Sequence, residues 1–180
     1  MSAVPVTQSQ RHIISILLQN EVGALTRVAG LFATRGYNIE SLNVAATDDP
    51  TVSRITLVTT GSEQVIAQIV NQSLKLVDVV NVDDMTTDAH IERELLLIKM
   101  NVPVKQLPAL NKAVSEAQAR VLVDTPESYT IELTDSEARV SKFIATVSNF
   151  GEVMEVVRSG ALAVYGGGET LKTINVKSGS

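Results

Sequence analysis

The first half of the chain begins with a strand-like pattern and continues with a helical one. A continuous apolar run at 12–18 has the length of a buried strand, and the polar, glycine-containing segment 20–23 follows it. From Leu25 onward the apolar residues recur at helical spacing, and Gly36 stands where a left-handed helix terminator is typical. This pattern predicts a strand, a turn and one helix over 24–35.

Two more strands, a helix and a final strand complete the first half. Alternating apolar positions at 42–46 and 55–59 flank the turn residues 47–50, which predicts a hairpin. Thr60 and Glu63 have the spacing of a capping box, and a helical apolar pattern follows them and leads to a strand at 76–82. The first half is therefore predicted to have the order βαββαβ.

The second half repeats this order and predicts a second domain of the same kind. Its predicted strands are 94–102, 120–124, 128–134 and 153–157, and its helices carry the apolar positions Leu107, Leu110, Val114 and Ala117, then Val140, Phe143, Ile144 and Val147. We predict an α+β fold of two tandem ferredoxin-like βαββαβ domains. Because helices cover one face of each sheet, the other face needs a partner, and oligomerisation is expected.

The predicted domain boundary lies near 85–90, where charged residues and threonine replace the apolar alternation. The domains are predicted to span 11–84 and 90–165. Residues 1–10 lack the basic start and apolar run of a secretion signal, so we predict a disordered leader there. Residues 166–180 are predicted to form a flexible tail.

Composition and charge narrow the classes of partner. Aromatic residues make up only 3% of the chain, so Val, Ile, Leu and Ala must build the core. The net charge is -5 and the 15 Lys and Arg residues are dispersed, which argues against nucleic acid as a partner. No apolar stretch reaches the length of a membrane span, and cysteine is absent, so we expect no membrane partner and a cytoplasmic location.

The signatures of enzyme chemistry are missing from the sequence. His12 and His90 have no partner at metal-ligand spacing, and no G-x-S-x-G, H-E-x-x-H or Walker motif occurs. The acidic pairs 48–49 and 83–84 are better explained by a turn and a strand end, and the glycines at 166–168 precede no predicted helix. We predict no catalytic residue and no metal site; a metal-assisted enzyme using the acidic pairs is the remote alternative.

The segment NEVGALTRVAGLF at 20–32 is the best candidate for ligand binding. A strand ends there, Asn20 offers a side-chain amide, and Gly23 allows a close turn into a helix whose first amides lack partners. Such a helix start favours an anion, and the carboxylate of a free amino acid has a suitable size. From the residues alone, a second explanation stays open, in which Asn20 and Gly23 only shape the turn.

The sequence resembles a known family over about residues 11–165. NEVGALTRVAGLFATRGYNIESLNVAATDDPTVSRITLVTTG at 20–61 is similar to the amino-terminal ACT domain of the small regulatory subunit of acetolactate synthase, also called acetohydroxyacid synthase. Further similar segments follow in the same order, namely LVDV at 76–79, ERELLLIK at 92–99, YTIELT at 129–134 and VVRSG at 156–160. The resemblance implies two ferredoxin-like units, the first of them an ACT domain.

The resemblance also implies a function. The family's small subunit is not catalytic; it forms a homodimer, binds a branched-chain amino acid, usually valine, and binds a catalytic subunit. Thiamine diphosphate, magnesium and FAD belong to that catalytic partner, and the small subunit needs no cofactor. Association is expected to raise catalytic activity, and the effector is expected to lower it. A free-standing amino-acid-responsive regulator of another target is the alternative, which accounts less well for the second half.

The resemblance assigns the effector site to two segments that meet across a dimer interface. The first is the turn from Asn20 to Leu25, and the second contains Asn38 and Ile39. Amides of Gly23 and Ala24 are expected to bind the carboxylate, and the carbonyls of Asn20 and Asn38 the ammonium. The apolar wall of this predicted site consists of Val22, Leu25 and Ile39.

Overall fold

The computed structural model describes residues 9–125 and 127–172, and these form two compact units. One unit contains residues 9–91 and 163–172, and the other contains Glu92–Leu162. The strands are β1 (Gln10–Gln19), β2 (Ser41–Ala46), β3 (Val52–Gly61), β4 (Val79–Asp84), β5 (His90–Asn101), β6 (Arg120–Thr125), β7 (Ser128–Asp135), β8 (Glu152–Arg158) and β9 (Leu162–Tyr165). The helices are α1 (Ala24–Arg35), α2 (Glu63–Ser73), α3 (Leu107–Glu116) and α4 (Glu137–Val147).

The first unit is an antiparallel sheet packed against α1 and α2. Its strand order is β2-β3-β1-β4, and Ile16 of β1 lies opposite Ile55 of β3 and Val82 of β4. These three side chains share the core with Val28 and Phe32 of α1. Every residue from 12 to 18 is buried, which explains why this central strand has a continuous apolar run instead of an alternating one.

The second unit repeats this arrangement with the strand order β6-β7-β5-β8, and β9 also pairs with β5. Ile98 of β5 lies opposite Ile131 of β7 and Val156 of β8. The helices contribute Leu110 of α3 and Val140 of α4 to the core. The predicted α+β fold of two tandem βαββαβ units is confirmed.

The predicted capping box at the start of α2 is wrong. Thr60 belongs to β3, where it pairs with Arg11, and its hydroxyl donates to Glu40 Oε1 at 2.5 Å. The side chain of Ser62 caps the helix by accepting a hydrogen bond from the Val65 amide at 3.4 Å. Strand pairing holds Thr60 in the sheet, so the helix starts later than the local spacing suggests.

The last strand of the first unit also starts later than predicted. β4 begins at Val79, and the Val79 amide donates to the Leu76 carbonyl at 3.1 Å, so the chain turns before it enters the sheet. Asp84 then accepts a hydrogen bond from buried His12 Nδ1 at 2.9 Å, while Tyr165 donates its hydroxyl proton to Asp83. Both carboxylates of the second acidic pair are therefore engaged in structural contacts.

The sequence did not predict β9, and residues 163–165 cluster with the first unit. The segment after it, predicted as tail, also contacts that unit, because the Gly166 amide donates to the Ala89 carbonyl at 2.7 Å and Asn81 Nδ2 donates to the Lys172 carbonyl at 2.6 Å. The rest of the predicted tail, 173–180, and most of the predicted leader, 1–8, lie outside the described residues. None of the helices in the described ranges is long and apolar enough to span a membrane.

Candidate functional site

The turn between β1 and α1 is held by backbone hydrogen bonds to two neighbouring loops. The Gln19 amide donates to the Asp78 carbonyl and the Asn20 amide donates to the Thr51 carbonyl, each at 2.7 Å. Asn20 Nδ2 also donates to the Pro50 carbonyl at 3.0 Å. These contacts fix the entry into the helix, and they leave the side-chain carbonyl of Asn20 as an acceptor.

Gly23 sets the direction in which the chain enters α1. It is the N-cap residue and has φ of 87° and ψ of -10°, a left-handed conformation that favours glycine. A Cβ atom at this position would lie 3.0 Å from Nη1 of Arg27. The turn therefore requires glycine for its backbone conformation and also brings the backbone close to a guanidinium group.

The start of α1 has the features of an anion-binding helix terminus. No side chain caps it, and its first turn contains no acidic residue. The Ala24 amide makes a long hydrogen bond, 3.2 Å, to the Glu21 carbonyl. Because first-turn amides carry the positive end of the helix dipole, an anion bound here gains both donors and a favourable field.

Arg27 adds a charge that the sequence analysis missed. Its Nε and Nη2 atoms form a bidentate ion pair with the buried carboxylate of Asp78, and the Nη2 to Oδ1 distance is 2.8 Å. The hydrogen bond from Arg27 lowers the pKa of Asp78, and the same bond raises the pKa of Arg27. Spacing alone could have drawn attention to Arg27, because it lies one helical turn after Gly23.

The apolar side chains of the turn point into solvent. Val22 is fully exposed and Leu25 is 39% exposed, whereas Ala24 between them is buried at 1%. Large apolar side chains beside polar donors are typical of a site that recognises a molecule with both a charged and a hydrocarbon part. The turn therefore combines an anion-binding start with an apolar border.

Within one chain, Asn38 and Ile39 lie far from this turn. Both residues follow the C-cap Gly36, at the far end of the 12-residue helix α1, about 18 Å away along the helix axis. Asn38 is exposed, its backbone carbonyl accepts a hydrogen bond from Thr59 at 2.5 Å, and Ile39 packs partly against the core. Five predicted residues, Asn20, Val22, Gly23, Ala24 and Leu25, therefore lie together, and two lie apart from them.

The first acidic pair also has a structural explanation. Asp49 Oδ1 accepts hydrogen bonds from the Thr51 amide at 2.9 Å and the Thr51 hydroxyl at 2.6 Å, and these bonds lower the pKa of Asp49. Within residues 9–125 and 127–172, no group of three or more His, Cys, Asp or Glu side chains is placed to hold a metal ion. The hairpin turn uses Asp49 to order its own backbone.

Comparison with known proteins matches both halves of the chain to one family. Residues 14–81 match the family model described as an AHAS small subunit-like ACT domain, so the first unit is an ACT domain. Residues 93–167 match the model of the small subunit of acetolactate synthase. The chain belongs to the family of acetolactate synthase small subunits, which are regulatory and not catalytic.

Relatives from three bacteria support this assignment over nearly the full chain. The acetolactate synthase isozyme 3 small subunit of Escherichia coli is 41% identical over 90% of this chain and 99% of its own length. The acetolactate synthase small subunit of Haemophilus influenzae is 42% identical over 87% of this chain and 96% of its own. The crystal structure of the Thermotoga maritima small subunit is 31% identical, has a TM-score of 0.79, and covers 87% of this chain and 97% of that one.

Proposed function

We propose that this small subunit activates the catalytic subunit of acetolactate synthase in the cytoplasm and confers feedback inhibition by a branched-chain amino acid, valine. The observation that carries this proposal is the uncapped start of α1, where Gly23 adopts a left-handed conformation and Arg27 stands beside it. A free amino acid carries a carboxylate that matches this helix start.

The turn offers a partner for each part of the amino acid. The carboxylate binds the amides of Gly23 and Ala24 and is attracted by the Arg27 guanidinium, because a charged acceptor forms a stronger bond than the long contact that Ala24 makes with Glu21. The side-chain carbonyl of Asn20 accepts a hydrogen bond from the ammonium. The aliphatic side chain then contacts the apolar border formed by Val22 and Leu25.

A second copy of the chain completes the site. The edge strand β2 exposes Leu42 and Val44 at 36% and 41%, and it has a paired strand on one side only in the sheet order β2-β3-β1-β4. Pairing of two such edges buries these side chains and closes a symmetric homodimer. The second copy then supplies Asn38 for the ammonium and Ile39 for the apolar wall.

The selectivity of such a site is limited by the chemistry of its apolar wall. One methylene in a hydrophobic pocket changes the binding free energy by about 1 to 3 kcal/mol, so valine is preferred while leucine and isoleucine bind more weakly. Feedback requires that valine favour one arrangement of the dimer over another. A typical coupling free energy is about 1 to 3 kcal/mol, which corresponds to a change in affinity of about 5- to 150-fold.

The catalytic chemistry belongs to the partner in this proposal. The catalytic subunit carries thiamine diphosphate, magnesium and FAD, and the small subunit contributes no cofactor. The small subunit contributes an effector site, and the fraction of that site that is occupied rises with the concentration of the pathway's product.

The proposal is tested by calorimetric titration of the purified chain with valine and by assays of acetolactate formation with and without the catalytic subunit. We expect saturable binding near one valine per chain, activation by the small subunit and inhibition by valine. Sedimentation velocity on the same sample measures whether the chain is a dimer.

Two other outcomes would each contradict part of the proposed function. Activation without binding of any branched-chain amino acid would leave an activator that is not a sensor. Valine binding without any effect on the synthase would favour a free-standing amino-acid-responsive regulator.

A further inference from the structure

The second unit contains a solvent-open cavity at the end of its sheet. It encloses about 250 Å³ and is lined by Val102, Val104, Leu107, Asp124, Thr125 and Tyr129. One wall is the connection from β5 to α3, and the other is the end of β6 with the nearby start of β7. Since one water occupies about 30 Å³ of liquid, this space holds a molecule with about eight non-hydrogen atoms.

This cavity occupies the same place in its unit as the β1–α1 turn in the first unit. In both βαββαβ repeats, the connection from the first strand to the first helix lies at this end of the sheet. Both connections also expose a valine, fully for Val22 and at 82% for Val104. At the rim of the cavity, the exposed side chain of Val104 offers hydrocarbon contact to a bound molecule.

The charge at this end differs between the two units. The connection to α3 contains Pro103 and Pro108, with a proline in the first turn of the helix, so this helix start offers fewer amide donors than α1. Of the six lining residues only Asp124 carries a charge, and that charge is negative. Lys105 belongs to the same connection but does not line the cavity. The start of α1 in the first unit therefore favours an anion, whereas the cavity lining in the second unit favours a cation.

Tyr129 gives the cavity an apolar wall. The residue is 4% exposed, and its hydroxyl donates to Asn111 Oδ1 at 2.5 Å, which satisfies its polar end away from a ligand. Burial raises the pKa of Tyr129, and the nearby charge of Asp124 adds to this effect. Asp124 of β6 lies directly opposite Tyr129 of β7 in the sheet, so the carboxylate and the ring are neighbours, and the ring offers hydrocarbon contact.

We infer that this cavity is a second small-molecule site, and that it binds a small aliphatic ammonium compound. Asp124 pairs with the ammonium, and the hydrocarbon part contacts Val104, Leu107 and the Tyr129 ring. A free amino acid binds here less well, because its carboxylate would lie near Asp124 without a cationic partner among the lining residues. This site is separate from the proposed effector site and does not depend on it.

The test is a titration of the ¹⁵N-labelled full-length chain, followed by amide chemical shifts. The probes are isobutylammonium, isobutanol and isovalerate, which share a branched hydrocarbon and differ in charge. We expect saturable shifts at Asp124, Thr125 and Tyr129 with isobutylammonium at millimolar concentrations, weaker effects with the alcohol and the weakest with the acid. The amides of Ala24 and Leu25 should stay unchanged with this amine.

Two variants test the assignment of roles. Asp124→Asn should weaken binding of isobutylammonium up to about fivefold, the usual limit for an exposed ion pair. Val104→Lys places a cation at the rim and should also weaken it, and the exposure of Val104 makes this change compatible with folding. Glu155→Gln is the matched control, because it removes the same charge from an exposed residue of the unit that does not line the cavity.

The inference is overturned if isobutylammonium causes no saturable shift at the cavity. It is also overturned if the acid binds as well as the amine, or if Asp124→Asn and Glu155→Gln weaken binding equally. None of these results affects the valine titration, so failure of this site and failure of the proposed effector site are distinguishable.

Discussion

Two substitutions of Gly23 separate the effect of backbone strain at the effector turn from the effect of an added negative charge. Gly23→Ala adds a Cβ atom to a residue with φ of 87°, and Gly23→Asp adds a carboxylate at the same place. The left-handed conformation costs a residue other than glycine about 1 to 2 kcal/mol, so both variants should lower the free energy of unfolding. For Asp, the helix dipole offsets about 0.3 to 1 kcal/mol of this loss.

The effect of the carboxylate on effector binding is larger than its effect on stability. The new Cβ would lie 3.0 Å from Arg27 Nη1, so an aspartate there pairs with the guanidinium that the ligand would otherwise use. Two carboxylates about 4 Å apart near a protein surface repel each other by up to about 4 kcal/mol. We therefore expect Gly23→Asp to abolish measurable valine binding, and Gly23→Ala to weaken it only moderately.

Gly160→Ala provides the control for backbone strain. Gly160 has φ of 77°, close to that of Gly23, and it belongs to the second unit, so the conformational cost is similar while both segments of the proposed effector site are untouched. Urea unfolding measures stability, calorimetry measures valine affinity, and the synthase assay measures activation and inhibition. Gly23→Asp should still activate the catalytic subunit. Normal valine affinity in a folded Gly23→Asp variant would refute the placement of the carboxylate at this turn.

Three further predictions concern stability. The pKa of Asp78 in the folded state is lowered by Arg27, so the pair stabilises the fold above the ordinary carboxylate pKa of about 4, and this contribution is lost as the pH falls through the lower, folded value. The urea midpoint of the unmodified chain should therefore fall between about pH 6 and pH 2. In Asp78→Asn, the part of this pH dependence that comes from Asp78 should be absent. Arg158→Met leaves Glu94, which is 3% exposed and bound bidentately at 2.7 and 2.8 Å, without its cation and should cost up to about 3 kcal/mol by urea unfolding. Phe32→Ala removes a ring that is 1% exposed and should lower unfolding free energy by about 3 to 5 kcal/mol in the same assay.

The repeated fold was accessible from the sequence because its pattern is local and occurs twice. The run at 12–18 and the helical spacing after Leu25 predicted β1 and α1, and Gly36 does adopt the left-handed conformation expected of a helix terminator. Thr60 was misassigned, because pairing with β1 keeps it in a strand although its local spacing suits a helix cap. Strand β9 was missed, because four residues carry too weak a pattern and its pairing partner β5 is remote in sequence.

In the candidate site, too, some features follow from the local sequence and others depend on tertiary packing. The sequence by itself determined the helix start after β1, because a glycine between a strand and an apolar-periodic helix has few other structural uses. It also carried the family resemblance. Only the tertiary structure placed Arg27 between Gly23 and Asp78. A pattern records spacing along one element, whereas an ion pair between residues 51 positions apart depends on how a helix and a distant loop pack together.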